Sequence, residues 1–518
     1  MSRRTRVIII GGGLSGLSAA KWLHQSDIDV LVLEARDRVG GRTLTKKSPD
    51  VGYVDLGGSY VGPTQDHLFR LTKELCIDNY KIEENEDVIY FSQGKRYRHK
   101  TTGSIPFRNP FVHLDINNFT RAIDEMGKEV PADEPWKAPH AEEWDTMTYQ
   151  TFMDETCYTE QCRAVAKAYI EEPLASSPYE SSFLWMLWFT KLCQGMKSMM
   201  SVTSGGQERK FIGGSQQISE RISERLGNCV LLNSPVVEIT QLEKEVTVKT
   251  LDGNTYNGNY IIMAIPLPLQ MKIHYDPPLS AHRNQLIQRC PMGSVMKCIL
   301  YYQTEFWKKH GFCGTSLIDV DDENPISSTY NDTKPDGSYP AIVGFILADQ
   351  VRKVAHLTQE ERKNIFRKCL CNVFGLEEFL KPIHYEEYNW MSEQYSGGCF
   401  TAMFPPGFLT RYGEFLRKPV GRMYFAGTET ATTWTGYMEG AIEAGERAAR
   451  EVMHDMGMLK KEEIWRKEPP TDGIELAPPR TTWLERNMPP IKTIVYIFKI
   501  ILIQVLIIVV SLLLTNLT

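Results

Sequence analysis

Gly11-Gly12-Gly13-Leu14-Ser15-Gly16 has the G-x-G-x-x-G spacing that lets a backbone approach a pyrophosphate. Glycines also make ordinary turns, so the spacing draws its weight from its surroundings. It follows the apolar run Val7-Ile-Ile-Ile and opens a helical pattern from Leu17 to Leu23. A helix N-terminus in that place faces negative charge favourably. Glu34 ends a second apolar run, Val30-Leu-Val-Leu, about 20 residues further on, where a carboxylate can accept both ribose hydroxyls. A free 2′-hydroxyl is thereby favoured, hence FAD or NAD over NADP. Arg36, Arg42 and the run Val39-Gly40-Gly41-Arg42-Thr43 add a second turn able to meet phosphate.

Three later features carry further chemistry. Lys297 lies inside an apolar, strand-like run (Met296–Tyr302), and a buried lysine is costly without a site to serve. Cys399 follows Gly397-Gly398, so little backbone bulk stands beside it and a cofactor edge can approach; the bland alternative is a buried thiol. Gly436 to Gly440 opens a helix from Ala441 to His454 whose N-terminus would stabilise an anionic ring.

These residues need a scaffold. Residues 5–45 read as strand, glycine turn, helix and strand, a βαβ opening. Residues 80–135 are polar and rich in turn formers. Residues 141–200 read as helical, with Phe183, Trp185, Trp188 and Phe189 expected in the core. Strand-like runs return over 215–265 and 290–350, a helix is expected over 358–374, and a strand, turn and long helix close the body over 420–455. No short internal repeat is visible.

The chain has 518 residues, too many for one simple domain, with 42% hydrophobic and 24% charged residues. That balance excludes a disordered chain, a collagen, a small disulfide scaffold and a multi-span membrane protein. A net charge of −6 argues against nucleic acid as the main partner. The 11 cysteines are irregularly spaced and suggest free thiols, and no metal site is expected. One stretch departs from the average. Ile494 to Leu514 is almost wholly apolar, about 31 Å long as a helix, and separated from the body by a Pro-rich stretch. It reads as a C-terminal transmembrane tail anchor, with Lys499 able to snorkel.

Several segments together carry a resemblance. Glu34-Ala-Arg-Asp-Arg-Val-Gly-Gly-Arg-Thr43, Leu56-Gly57-Gly58-Ser59-Tyr60, Asn389-Trp390, Tyr395-Ser-Gly-Gly-Cys399, Phe425-Ala-Gly-Thr-Glu-Thr and Trp434-Thr-Gly-Tyr-Met-Glu-Gly resemble the monoamine oxidases, within the flavin-containing amine oxidase superfamily. The resemblance covers essentially the whole chain and fits neither the A nor the B form in particular. It implies an α/β fold: a Rossmann-like FAD-binding domain interleaved with an α+β substrate domain. The expected division is FAD-binding parts at 1–80, 211–290 (strand-rich) and 389–460, substrate parts at 81–210 (largely helical) and 291–388, a linker at 461–490 and a membrane anchor at 491–518.

The resemblance also implies roles. FAD is joined covalently through Cys399 by a thioether, and Lys297 reaches flavin N5 through a water. Gly11, Gly13, Ser15, Gly16, Glu34, Arg36, Gly41, Arg42, Thr43, Gly58, Ser59, Tyr60, Val236, Trp390, Thr428, Glu429 and Met438 hold the cofactor. Tyr437 forms one aromatic wall for the amine. The other is Phe400, where the pattern has tyrosine, so the ring face stays and a hydroxyl is lost. The implied reaction is oxidative deamination of primary amines with O2 to aldehyde, ammonia and hydrogen peroxide. The competing readings are a desaturase or porphyrinogen-type oxidase, against which Lys297 with the Phe400/Tyr437 pair speaks, and an inert membrane-tethered flavoprotein scaffold, against which Cys399 and Lys297 speak.

Departures from the pattern bear on substrate. Glu172-Pro173 stand where relatives have Leu-Cys, after Glu171, and a carboxylate beside an apolar tunnel is costly unless paired. Pairing with a second ammonium would favour diamines or more polar amines; the alternative is that both acids face solvent or an arginine. Ser328 falls at a bulky gate position. With Met199, Met200, Gln207 and Leu317 it implies a wider, more flexible cavity. A homodimer on the outer mitochondrial membrane, facing the cytosol, is also implied. Arg480, Arg486 and Lys492 precede the tail, yet Thr515-Asn-Leu-Thr518 after it carries no charge, which leaves the endoplasmic reticulum as the alternative.

Overall fold

In the computed structural model the runs Val7–Ile10 and Val30–Leu33 are parallel neighbours at the centre of a five-stranded sheet. Val230–Leu231, Tyr260–Met263 and Met423–Phe425 complete it, all parallel. The structure describes residues 2–474 apart from 83, 101–104 and 322–323, together with 476, 487–488 and 491–515. Arg480, Arg486 and residues 516–518 lie outside the described residues.

Both faces of this sheet are covered, which is why its strands read as continuous apolar runs. Val7, Ile9, Val30 and Val32 pack with Leu17 and Ala20 of helix Leu14–Gln25 and with Ala448 and Val452 of helix Met438–Asp455. The alternate residues Ile8, Ile10, Leu31 and Leu33 pack against a second five-stranded sheet through Ile239 and Val248. Period-2 alternation of side chains explains this split.

A seven-stranded sheet stands beside these layers, in the order His384–Asn389, Val295–Tyr301, Ala341–Leu347, Ser328–Asn331, Phe312–Ile318, Asp87–Ser92, Lys95–His99. It is antiparallel except where Phe312–Ile318 meets Asp87–Ser92. Met296, Cys298 and Leu300 point to helix Gln359–Phe374. Val295, Ile299, Val343 and Phe345 point the other way, towards Leu56, Trp390 and Cys399. Lys297 shares that second face by register, so this sheet aims it at the parallel-sheet unit.

The helical stretch is present from Ala141 to Met200, and Phe183, Trp185, Trp188 and Phe189 are fully buried in it. Residues 80–135 hold more order than their polarity suggested. They contain a strand pair and the helix Pro110–Lys128, capped by Asn109, whose side chain accepts from the Phe111 N–H. Pro at the first helical position and Asn before it are the signals that mark this start.

The tail Ile491–Thr515 is helical, and its side chains from 499 to 511 are exposed. Among the described residues, however, no helix is long and apolar enough to cross a membrane.

Candidate active site

One cavity runs from the first βα turn to the edge of the helical layer. Gly11, Gly13, Ser15, Glu34, Arg36, Gly41, Arg42, Thr43 and Val236 line one part; Cys399, Phe400, Tyr437, Lys297, Tyr60, Met200, Gln207 and Glu172 line the other. Gly58, Ser59, Thr428 and Met438 lie along it as well. Gly16, Leu317, Ser328, Trp390 and Glu429 are not among the residues that line the cavity.

The turn is built for close approach. A Cβ on Gly16 would sit 2.0 Å from the Gly11 carbonyl oxygen, so only glycine lets the chain close there. Gly13 and Gly58 differ: a Cβ on either would meet no protein atom nearer than 3.9 Å. At these two places a side chain would meet no protein atom closely and would project towards the cavity that both residues line. Helix Leu14–Gln25 starts without a side-chain cap, leaving its N-terminal N–H groups for an anion. Glu34 accepts from the Gly12 N–H at 2.6 Å and the Arg36 N–H at 2.9 Å, which fixes its carboxylate at the strand end with further lone pairs for a diol. These features fit an extended dinucleotide.

Arg42 ties the two ends of the chain together. It donates to Glu429 at 2.6 and 3.2 Å and to the Phe400 carbonyl at 2.9 Å. Glu429 also accepts from Thr401 Oγ1 and the Ala402 N–H, both at 3.2 Å. Burial works to raise the Glu429 carboxyl, but Arg42 overrides it and holds the group below its ordinary range. Glu429 therefore positions Arg42 and the backbone at Thr401–Ala402, and it is not among the residues that line the cavity. Trp390 is similarly buried, donating to the Leu56 carbonyl at 2.9 Å.

Lys297 donates to the Asp55 carbonyl at 2.5 Å, with longer contacts to the Gly57 carbonyl at 3.3 Å and Ser59 Oγ at 3.4 Å. Burial first, then repulsion from Lys210, bring its ammonium down to about 8. The Cys399 thiol is pushed up to about 12 by burial, against the pull of Arg42. Of the glycines before it, Gly398 has a packing reason: a Cβ there would lie 2.5 Å from the Gly293 carbonyl oxygen; neither glycine is among the cavity-lining residues.

Phe400 and Tyr437 are held by different layers. Phe400 packs on Phe345 of the seven-stranded sheet at 6.5 Å between ring centroids. Tyr437 packs on Trp434 at 5.0 Å and Phe189 at 6.3 Å in the helical layer. Burial keeps the Tyr437 phenol neutral, well above its ordinary value. Of the paired acids, Glu171 turns to Lys167 at 3.5 Å, whereas Glu172 lines the cavity and accepts from Ser328 Oγ at 2.7 Å. Phe345 and Tyr330 belong to the wall and were not foreseen; Tyr330, two residues after Ser328 on the same strand face, carried the readable signal.

Elsewhere among the described residues, His67, Glu446 and Glu468 gather ligand-type atoms within 4.8 Å of one another. Glu439 and Arg70 already pair with them.

The model of the flavin containing amine oxidoreductase family matches residues 14–453. Human amine oxidase [flavin-containing] B is 52% identical over 491 residues, covering 95% of this chain and 94% of that protein. Amine oxidase [flavin-containing] of Oncorhynchus mykiss is 53% identical over 486 residues, covering 94% and 92%. Among solved structures, putrescine oxidase bound to putrescine superposes with a TM-score of 0.83 at 29% identity, covering 88% of this chain and 100% of that one. Cyclohexylamine oxidase from Brevibacterium oxydans gives 0.83 at 32% identity, covering 88% and 99%. The chain belongs to the flavin containing amine oxidoreductase family and is a flavin-dependent amine oxidase.

Proposed function

We propose that this oxidase deaminates primary amines at the end of the cavity walled by Phe400, Tyr437 and Lys297, with FAD held covalently by Cys399. The observation that carries the reading is the joining of the dinucleotide turn and this end in one cavity. Gly11, Gly13, Ser15 and the uncapped helix N-terminus receive the pyrophosphate, with Gly16 closing the turn, and Glu34 takes the ribose diol. Arg36, Gly41, Arg42 and Thr43 line the second turn; Gly58, Ser59, Tyr60, Val236, Thr428 and Met438 flank the cofactor, supported from behind by Trp390 and Glu429. The chemistry FAD supplies when bound is two-electron acceptance from the amine and reoxidation by O2 to hydrogen peroxide.

The chain's own residues do the rest. Phe400 and Tyr437 present π-faces that orient an amine nitrogen, and their bulk excludes water. A neutral Tyr437 leaves no phenolate to trap the substrate as an ammonium. Lys297, anchored to the Asp55 carbonyl, offers the donor now weakly placed on Ser59 to a water, and its value near 8 lets it exchange a proton near neutrality. Met200 and Gln207 line the approach. Oxidation of the amine gives an iminium, and water releases aldehyde and ammonia.

We further propose that Ile491–Thr515 anchors the enzyme, as a homodimer, in the outer mitochondrial membrane with the body in the cytosol. The apolar run over 494–514 and the family resemblance support this reading. Parts 1–80, 211–290 and 389–460 would form the FAD-binding unit around 81–210 and 291–388.

Peroxide release across primary amines tests the reaction. Flavin that stays with acid-precipitated wild-type protein and leaves Cys399→Ala tests the tether; loss from both would refute it.

A further inference from the structure

Glu172 differs from the other carboxylates around the cavity. Glu34 has Arg36 within 3.6 Å, Glu429 has Arg42, and Asp332 has Lys210 and Lys334. Among the described residues Glu172 has no basic partner: Ser328 Oγ holds Oε2 at 2.7 Å, and Oε1 is buried with no hydrogen-bond partner. A buried acceptor without a donor costs more than a made bond returns. Burial raises its carboxyl to about 7, with Ser328 and Ser327 pulling the other way. The groups facing it are Glu171, which is engaged by Lys167, and the neutral Tyr330 phenol. None supplies a positive charge, and the cavity is the direction from which one can come.

Glu172 also stands apart from the reacting end. Its partner Ser328 pairs across the sheet with Phe345, whose ring lies 6.5 Å from that of Phe400. Glu172, Phe345, Phe400 and Tyr437 all line the one cavity, with the Ser328–Phe345 strand pair between the carboxylate and the Phe400/Tyr437 end. A substrate carrying an amino group at each end of an aliphatic chain can therefore meet both in the same cavity.

We propose that Glu172, oriented by Ser328, is a subsite for the distal ammonium of a diamine substrate, whose other, neutral amino group is presented between Phe400 and Tyr437. The inference rests on the reading of that end as the place of amine oxidation. The distal N–H groups satisfy Oε1, and the positive charge holds the carboxyl ionised. A monoamine leaves the carboxylate without a partner and must desolvate its alkyl end against it.

Two measurements on the holoenzyme test this. The first is the ratio of kcat/KM for hexamethylenediamine to that for hexylamine. It should fall by tenfold or more in Glu172→Gln, mainly through KM, because a charge-assisted hydrogen bond is lost. In Glu172→Leu, phenethylamine should gain kcat/KM while the diamine loses it. The second is binding, read by anaerobic thermal-shift titration with (trimethylammonio)hexylamine against hexyltrimethylammonium. The dication should bind wild type about tenfold more tightly, and Glu172→Gln should bring the two within about twofold. Ser328→Ala, which keeps the acid and frees Oε2, should give an intermediate loss. A diamine-to-monoamine ratio and a dication preference unchanged in all three variants would overturn the proposal. Absence of peroxide from every primary amine with wild type would instead sink the reading it rests on.

Discussion

Glu429→Ala should separate two parts of the site that the Arg42 pair holds together. In wild type Arg42 reaches Glu429 through two hydrogen bonds and also holds the Phe400 carbonyl, while Glu429 takes the Ala402 N–H and Thr401 Oγ1. Alanine removes the carboxylate, leaves a guanidinium without its counter-charge and frees two donors, the Thr401 hydroxyl and the Ala402 N–H. Breaking a buried pair from one side costs about 3–5 kcal/mol, and the hydrogen bonds are part of that figure. With an unfolding entropy of about 2.1 cal/mol/K per residue, a chain of 518 residues should melt roughly 3–5 °C lower. Glu429→Gln keeps the shape and should cost about half as much. The assay is thermal unfolding of holoenzyme in detergent, paired with the fraction of flavin that survives acid precipitation. The fraction should drop in Glu429→Ala, because Arg42 no longer sets the Phe400 carbonyl beside Cys399. A melting point within about 1 °C of wild type, with full flavin retention, would refute the positioning role.

Other outcomes follow from single contacts. Glu172 sits near 7 when folded against an ordinary 4.5, so its contribution to stability is complete below pH 4.5 and lost as pH rises through 7. Relative to Glu172→Gln, wild type should lose up to about 3 kcal/mol over that window, and a flat difference would contradict the burial argument. Phe400→Tyr restores a hydroxyl to the aromatic wall and should raise kcat/KM for phenethylamine by roughly 2–10-fold, the range of one neutral hydrogen bond; steady-state peroxide release checks it. Gly445→Ala would set a Cβ 2.0 Å from the Ser15 carbonyl oxygen, where helix Met438–Asp455 crosses helix Leu14–Gln25. The purified variant should carry little flavin, as read by the flavin-to-protein absorbance ratio.

Much of this was legible from residue order alone. Val7–Ile10, Val30–Leu33 and Ala341–Leu347 announce themselves as continuous apolar runs because both of their faces are covered. The fingerprint and Glu34 are local, so spacing suffices to find them. Glu171 and Glu172 show the limit. On a helix, successive side chains point about 100° apart, so one acid turns to Lys167 and the other to the cavity, and which is which depends on how Glu160–Leu174 is rotated in the fold. Glu429 is expected near the cofactor from its place in a motif; its ion pair with Arg42, 387 positions away in the chain, cannot be read from that motif. The buried pair Lys210–Asp332, which adds to the field on Lys297, likewise joins distant segments and leaves no local trace.

The proposed chemistry takes place at one end of the cavity, between Phe400, Tyr437 and Lys297. Anaerobic mixing of the holoenzyme with phenethylamine tests it most directly, with the oxidised-flavin absorption band as the signal. Wild type should bleach completely in one turnover, and Tyr437→Ala, with its flavin still attached, should bleach at least tenfold more slowly, about the loss of one orienting aromatic contact. A wild-type band that no primary amine bleaches, or a Tyr437→Ala rate equal to wild type, would contradict it.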